Sequence, residues 1–161
     1  MARGGTPAII ALTAAGVRFE VHEFENAPSE RGYGLAAAAA LGVEPERVFK
    51  TLLATIDDTD HAVGIVPVSG QLSLKELAAA LGAKRAEMCV PQTAERLTGY
   101  VVGGISPFGQ KRALPTVIDE TCILFDTIFV SGGRRGLDIE IAPDDLIKVL
   151  SAVLAPIGVP R

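Results

Sequence analysis

The sequence predicts an α+β fold: a single domain with a mixed, barrel-like β-sheet flanked by helices. Three observations lead there. Segments with period-two apolar alternation and segments with helical spacing follow one another irregularly along 161 residues, a length that suits one domain. Hydrophobic residues make up 48% and charged residues 21%, a balance that can bury a core without a disulfide or metal staple. The irregular alternation, with no G-x-G-x-x-G after the first strand and no G-x-x-x-x-G-K-[ST] loop, excludes a doubly wound nucleotide fold.

The elements follow in order. Thr6-Pro7 reads as an N-cap and first helical position, opening a helix that stops at Gly16. Val17 to Phe24 alternates, with Val17, Phe19 and Val21 on one face and Arg18, Glu20 and His22 on the other, as in a half-buried strand. Residues 26–30 read as a loop, and Gly34 to Leu41 as an alanine-rich helix closed by Gly42. Arg47 to Ile56 and Ala62 to Val68 read as strands joined by the turn at 57–60. Ser73-Leu-Lys-Glu76 has the form of a capping box, and Leu74, Leu77, Ala78 and Leu81 then share one helical face up to Gly82. A short strand over Ala86 to Cys89 leads to Pro91, which starts a helix ending at Gly99. A glycine-rich loop, strands at Leu114–Asp119, Thr127–Val130 and Leu137–Ile141, and the turn Ser131–Gly136 come next. The last helix begins near Pro143 and is expected to carry Leu146, Val149, Leu150, Val153 and Leu154 on one stripe.

Charge and composition narrow the function. Fifteen Lys and Arg against nineteen Asp and Glu leave a net charge of −4, which excludes a polybasic duplex binder but leaves room for a local basic patch. Cys89 and Cys122 lack zinc or redox spacing, and His22 and His61 cannot build a histidine-rich centre, so no metal or cofactor is expected. These four residues read as incidental: a strand-surface His, a turn His and two core fillers. No secretory h-region is visible at the start, and the longest apolar run, Leu35 to Leu41, falls far short of a membrane span. A cytoplasmic protein is expected.

Three features carry chemistry. Lys50 alternates with Val48, Leu52 and Ala54, so its ammonium either snorkels to water from a strand end or meets an anion in an apolar surround. Gly103–Arg112 and Ser131–Gly136 each join approachable backbone to a basic pair, Lys111-Arg112 and Arg134-Arg135, as in ordinary turns or in phosphate-binding nests. Asp138 lies between Leu137 and Ile139, placed to pair with Lys50 or Arg134 or to bind a substrate amine.

Val48-Phe-Lys-Thr-Leu-Leu, Pro67-Val-Ser-Gly-Gln-Leu, Leu81-Gly-Ala-Lys, Thr98-Gly-Tyr-Val-Val-Gly-Gly-Ile-Ser-Pro and Val130-Ser-Gly-Gly-Arg-Arg-Gly-Leu-Asp-Ile-Glu resemble the YbaK proteins, of the prolyl-tRNA editing-domain superfamily. The resemblance spans residues 6–154. It implies trans-editing, the release of a mischarged amino acid, cysteine first, from tRNA(Pro), by attack of the substrate's own thiol on its ester. It places the essential lysine at Lys50 and the substrate-binding positions at Phe24, Thr51, Gly103, Ser131 and Asp138. Phe24 stands where a tyrosine is common, so the ring is kept and the hydroxyl lost. Lys111, Arg112, Arg134 and Arg135 are expected to meet the acceptor end of the aminoacyl-tRNA, with prolyl-tRNA synthetase as a protein partner and no membrane. The alternatives are Ala-tRNA(Pro) hydrolysis in a pocket of similar size, and a non-catalytic tRNA- or synthetase-binding module.

Overall fold

The computed structural model describes residues 5–25 and 33–160. Helix α1 spans Pro7–Ala15; Thr6 Oγ1 accepts the Ile9 N–H at 3.2 Å and Gly16 closes the helix with φ 72°. Strand β1 (Phe19–Glu23) follows, and the loop expected at 26–30 lies outside the described residues. Helix α2 (Tyr33–Leu41) ends at Gly42 as expected. Strands β2 (Phe49–Ile56) and β3 (Asp60–Pro67) form an antiparallel hairpin. Asp57 and Asp58 both have positive φ at its tip, the backbone that a tight hairpin with right-handed twist requires. Asp57 Oδ1 also accepts the Lys84 and Arg85 N–H groups at 3.0 Å, tying the tip to a later segment. His61, expected in the turn, sits in β3 opposite Thr55.

Strand β4 (Gly70–Leu72) precedes α3 (Leu74–Ala80). Ser73 Oγ accepts the Glu76 N–H at 3.2 Å, but the Ser73 N–H donates to the Ile157 carbonyl at 2.7 Å. Half of the expected capping box therefore forms, because the chain end supplies a better acceptor than the Glu76 side chain. Strand β5 (Ala86–Met88), helix α4 (Pro91–Thr98) and strand β6 (Thr116–Asp119) follow, the last running into a 3₁₀ turn at Glu120–Leu124. Strands β7 (Ile128–Arg134) and β8 (Leu137–Ile141), helix α5 (Pro143–Leu150) and strands β9 (Val153–Ala155) and β10 (Gly158–Pro160) complete the chain.

Two expectations change here. Ser131 to Arg134 belong to β7, and Gly132 and Gly133 form a bulge between the pairs Ser131–Asp138 and Arg134–Leu137, so the turn itself is only Arg135-Gly136. Helix α5 stops at Ser151, in the left-handed region, and Val153 and Leu154 continue as an exposed edge strand instead of a helical stripe.

The α+β class and the mixed sheet hold. Strand order β5-β2-β3-β6-β9 forms a five-stranded mixed sheet, β1-β8-β7 a three-stranded antiparallel sheet, and β10-β4 a ribbon. Among the described residues these do not close into a barrel. The larger sheets meet at one parallel bridge, Val48 to Phe129, and share a core that includes Leu12, Phe49, Ile65, Phe108, Ile139 and Leu146.

Candidate active site

Val48, just ahead of β2, bridges in parallel to Phe129 of β7, and a cavity of about 380 Å³ is lined by residues of both strands. Lys50 and Thr51 line it from β2, Ser131 from β7, Asp138 from β8, Gly103 from the loop after α4, and Phe24 from the end of β1. All six residues singled out for catalysis or substrate binding thus meet in one place. Arg134 and Arg135 line it as well. Lys111 and Arg112 do not: both are exposed on the loop before β6, and the Lys111 N–H donates to the Thr98 carbonyl at 3.0 Å.

Strand register explains the convergence. Ser131 pairs with Asp138 across β7–β8, and Asp138 pairs with His22 across β8–β1. Because side chains repeat every two residues, the bridge at Val48 and Phe129 sets Lys50 level with Ser131. Ser131 Oγ accepts the Gly133 N–H at 3.2 Å, which fixes the bulge. Asp138 is only 7% exposed, and burial pushes its carboxyl up to about 7. Thr51 is 9% exposed, and its Oγ1 has no hydrogen-bond partner among the described residues. A buried hydroxyl left unpaired costs about 1–3 kcal/mol. A ligand group entering the cavity can recover that cost.

The two glycine-rich segments pack on each other instead of forming open nests. Gly103 has φ +94°, and a Cβ there would press on the Arg135 guanidinium. The Arg135 Nη2 donates to the Val102 carbonyl at 2.8 Å. Arg134 pairs with Glu23 at 2.9 Å, with both side chains largely exposed. Tyr100 holds the far side of the loop by donating to the Phe108 carbonyl at 2.6 Å, and burial lifts its hydroxyl to about 12. The cavity mouth therefore carries two arginines whose positions are set by backbone and by a carboxylate.

Two residues read as incidental have specific surroundings. Cys89, on the chain just after β5, lines the cavity, and burial raises its thiol against the opposing effects of a Thr55 hydrogen bond and the Arg96 charge. Only the β5–β2 pairing reveals this; a single Cys beside Met88 carries no local signal. Cys122 is core, as expected, with burial lifting its thiol to about 11. His22 is no free surface residue: its Nε2 lies 2.9 Å from Glu140 Oε1, and its ring meets Phe129 at 5.3 Å. Contact with Phe129 outweighs the alternation that put His22 on the solvent face, while Val21 is exposed.

Glu20, His22 and Glu140 bring ligand atoms within 4.8 Å of one another, a spacing open to a metal ion. Glu140, however, already accepts from Thr127 Oγ1 at 2.6 Å and Arg47 Nη2 at 3.2 Å, and the guanidinium also stacks 5.0 Å above Phe129. The Thr127 hydrogen bond, with help from His22 and Arg47, holds the Glu140 carboxyl below its ordinary value. A resident arginine opposes a second cation there.

Fold and site together define a ligand-binding α+β domain whose small cavity opens beneath two arginines. The chain belongs to the family described as the aminoacyl-tRNA editing domain, which matches residues 32–149. It is 38% identical over 136 residues to a protein of Enterococcus faecalis (strain ATCC 700802 / V583) named as a Cys-tRNA(Pro)/Cys-tRNA(Cys) deacylase, EbsC, covering 84% of this chain and 83% of that one. A second relative, the multifunctional Ser/Thr-tRNA deacylase ProXp-y of Escherichia coli K12, is 29% identical over 55% of this chain and 54% of its own. A crystal structure described as a trans-editing enzyme for prolyl-tRNA synthetase shares the fold, with a TM-score of 0.77 at 22% identity over 92% of this chain and 96% of that one. The family expected from the sequence blocks is thus the one found. Among the described residues no helix is long and apolar enough to cross a membrane.

Proposed function

We propose that the protein is a trans-editing deacylase that clears cysteine from mischarged tRNA(Pro), acting in the cytoplasm through residues 6–154. The observation that carries this reading is that the Thr51 hydroxyl, without a partner among the described residues, and the buried Asp138 line one cavity of about 380 Å³ that also takes in Lys50. Such a cavity fits one aminoacyl group, and Arg134 and Arg135 at its mouth suit the phosphates of a single-stranded acceptor end.

An aminoacyl ester is already activated, so orientation and charge stabilisation suffice without a protein nucleophile. In this reading Lys50 holds the ester oxygen or terminal phosphate, and Gly103 and Ser131 shape the pocket and donate hydrogen bonds. Asp138 takes the substrate ammonium, which favours its ionised form. Phe24 closes one wall with its ring, and Thr51 serves the side-chain end. The substrate thiol attacks its own carbonyl: the C–S bond forms, the ester C–O bond breaks, and the thiol proton passes to the departing 3′-oxygen. The products are a cyclic thiolactone and free tRNA. Lys111 and Arg112 extend the basic surface along the acceptor stem, and prolyl-tRNA synthetase delivers the substrate.

One observation favours a second reading: a relative is named a Ser/Thr-tRNA deacylase, and the Thr51 hydroxyl can serve a substrate hydroxyl as well as a thiol. Deacylation of Cys-, Ala-, Ser- and Pro-tRNA(Pro) by the wild type and Lys50→Ala separates these. Rapid loss of Cys-tRNA(Pro) alone, abolished by Lys50→Ala, is expected. Equal clearance of Ala- or Ser-tRNA(Pro) makes the reaction ordinary hydrolysis. Tight tRNA binding with no turnover makes the protein a binding module.

A further inference from the structure

Of the two cysteines, Cys122 is buried in the core and Cys89 lines the cavity. Its position there is set by pairing. The β5–β2 register runs Ala54 to Met88, and the Cys89 N–H donates to the Leu53 carbonyl at 3.0 Å, so Cys89 stands across from Leu53. Leu53 and Thr51 are two residues apart on β2, so the Cys89 side chain shares a face with Thr51. The same wall of the cavity therefore bears a thiol and, independently, a buried hydroxyl with no partner among the described residues. The hydroxyl marks this end as built for a polar group that arrives with a ligand.

We propose that Cys89 is a thiolation site for cystine, the disulfide of free cysteine, one half of which enters the cavity as the cysteinyl group of the substrate does. The inference rests on the cysteine reading above. The Cys89 thiolate attacks the nearer sulfur of the seated disulfide; a new S–S bond forms to Cys89 and the old one breaks. Free cysteine leaves as a thiolate and takes up the proton that Cys89 lost. Cys89 and the retained half are joined as a mixed disulfide, and the electron pair departs with the released cysteine. The retained half then fills the space of the aminoacyl group, so editing stops until a thiol reduces the adduct.

The site favours a disulfide that binds over one that merely collides. Burial raises the Cys89 thiol above its ordinary value, which disfavours the thiolate that a disulfide in bulk would need to meet. A disulfide held beside the thiol gains from proximity instead. Thr55 and Arg96 are the neighbouring groups that draw the thiol toward ionisation.

The test exposes the reduced full-length protein to cystine and, separately, to bis(2-hydroxyethyl) disulfide, a small disulfide without amino-acid groups. Intact mass, peptide mapping and Cys-tRNA(Pro) deacylation are followed in the same samples. The expected result is one cysteinyl adduct, on Cys89, forming faster with cystine by an order of magnitude or more. Deacylation falls in step with the adduct and returns on reduction. Cys89→Ser and Cys89→Ala take no adduct, and whatever deacylation each retains does not respond to cystine. Equal rates with both disulfides, an adduct on Cys122, or no adduct while iodoacetamide still labels Cys89 would each overturn the proposal. Deacylation of Cys-tRNA(Pro) without a selective adduct removes this inference and leaves the proposed function. A selective adduct without deacylation does the reverse.

Discussion

Arg135 rests against Gly103: a Cβ on that glycine would stand 3.0 Å from Arg135 Nη2 and 3.1 Å from Cζ, with Nε nearer still. The same guanidinium donates to the carbonyl of Val102, one residue earlier. A backbone without a side chain thus serves as the seat of a cation at the cavity mouth. The neighbouring glycine makes a different approach, since a Cβ on Gly104 would come within 2.8 Å of the Arg134 Cα.

These two contacts separate positioning from stability. Gly103→Ala meets a flexible side chain and a positive φ, so it is expected to displace Arg135 and to cost about 1 kcal/mol. Gly104→Ala meets backbone that cannot swing aside, and its loss of stability should be the larger. Urea unfolding and tRNA binding of both variants check this. Equal stability losses, or an unchanged tRNA affinity for Gly103→Ala, would contradict the packing argument.

Thr51→Val is expected to make the protein more stable and less active. The substitution keeps the shape and removes a buried hydroxyl that has no partner among the described residues, a change of about 1–2 kcal/mol in favour of folding. Deacylation should drop, because the same hydroxyl is lost to the substrate. A variant that is destabilised, or fully active, argues that Thr51 has a structural role instead.

Asp138 predicts the sign of a pH effect. Its folded carboxyl titrates at about 7 against an ordinary 3.8, so between these values the native state holds a proton that the unfolded chain has released. Its contribution is therefore fully present below about pH 4 and is lost as pH rises through 7, a swing on the order of 4 kcal/mol. Asp138→Asn should abolish this component and gain on the wild type as pH rises. Urea midpoints of both proteins at about pH 5 and 8 measure it; parallel curves would refute the assignment.

Salt dependence distinguishes the two basic pairs. Replacing Arg134 and Arg135 by Gln should flatten the log–log dependence of tRNA affinity on salt by about 0.7 for each lost phosphate contact and should lower deacylation as well. Replacing Lys111 and Arg112, outside the cavity lining, should change the slope and leave single-turnover deacylation at saturating tRNA intact. A loss of single-turnover rate in the second variant would move the acceptor end to that side of the loop.

Thr6, Ser73, Pro91, Pro143, Gly16, Gly42 and Gly99 mark helix ends because capping and left-handed closure involve atoms within a few residues. The blocks around Lys50, Gly103 and Ser131 identified the family and the cavity residues without reference to any contact. Strands β4, β9 and β10, three residues each, are not among the expected elements, and β9 falls within the stripe expected of the last helix. They exist because distant partners complete them, as when Gly158 to Pro160 pairs with Gly70 to Leu72.

The sequence by itself determined the α+β class, the helix starts and the chemistry available at Lys50, Thr51, Ser131 and Asp138. Only the tertiary structure decided that Ser131 lies in a strand and not a loop, that Arg135 sits on Gly103 while Lys111 and Arg112 stay outside, and that Cys89 and His22 have defined neighbours. The division has one physical cause. Caps and periodicities are set by residues a few positions apart, whereas burial, pairing and the raised pKa of Asp138 depend on which strands meet, and that depends on the whole chain.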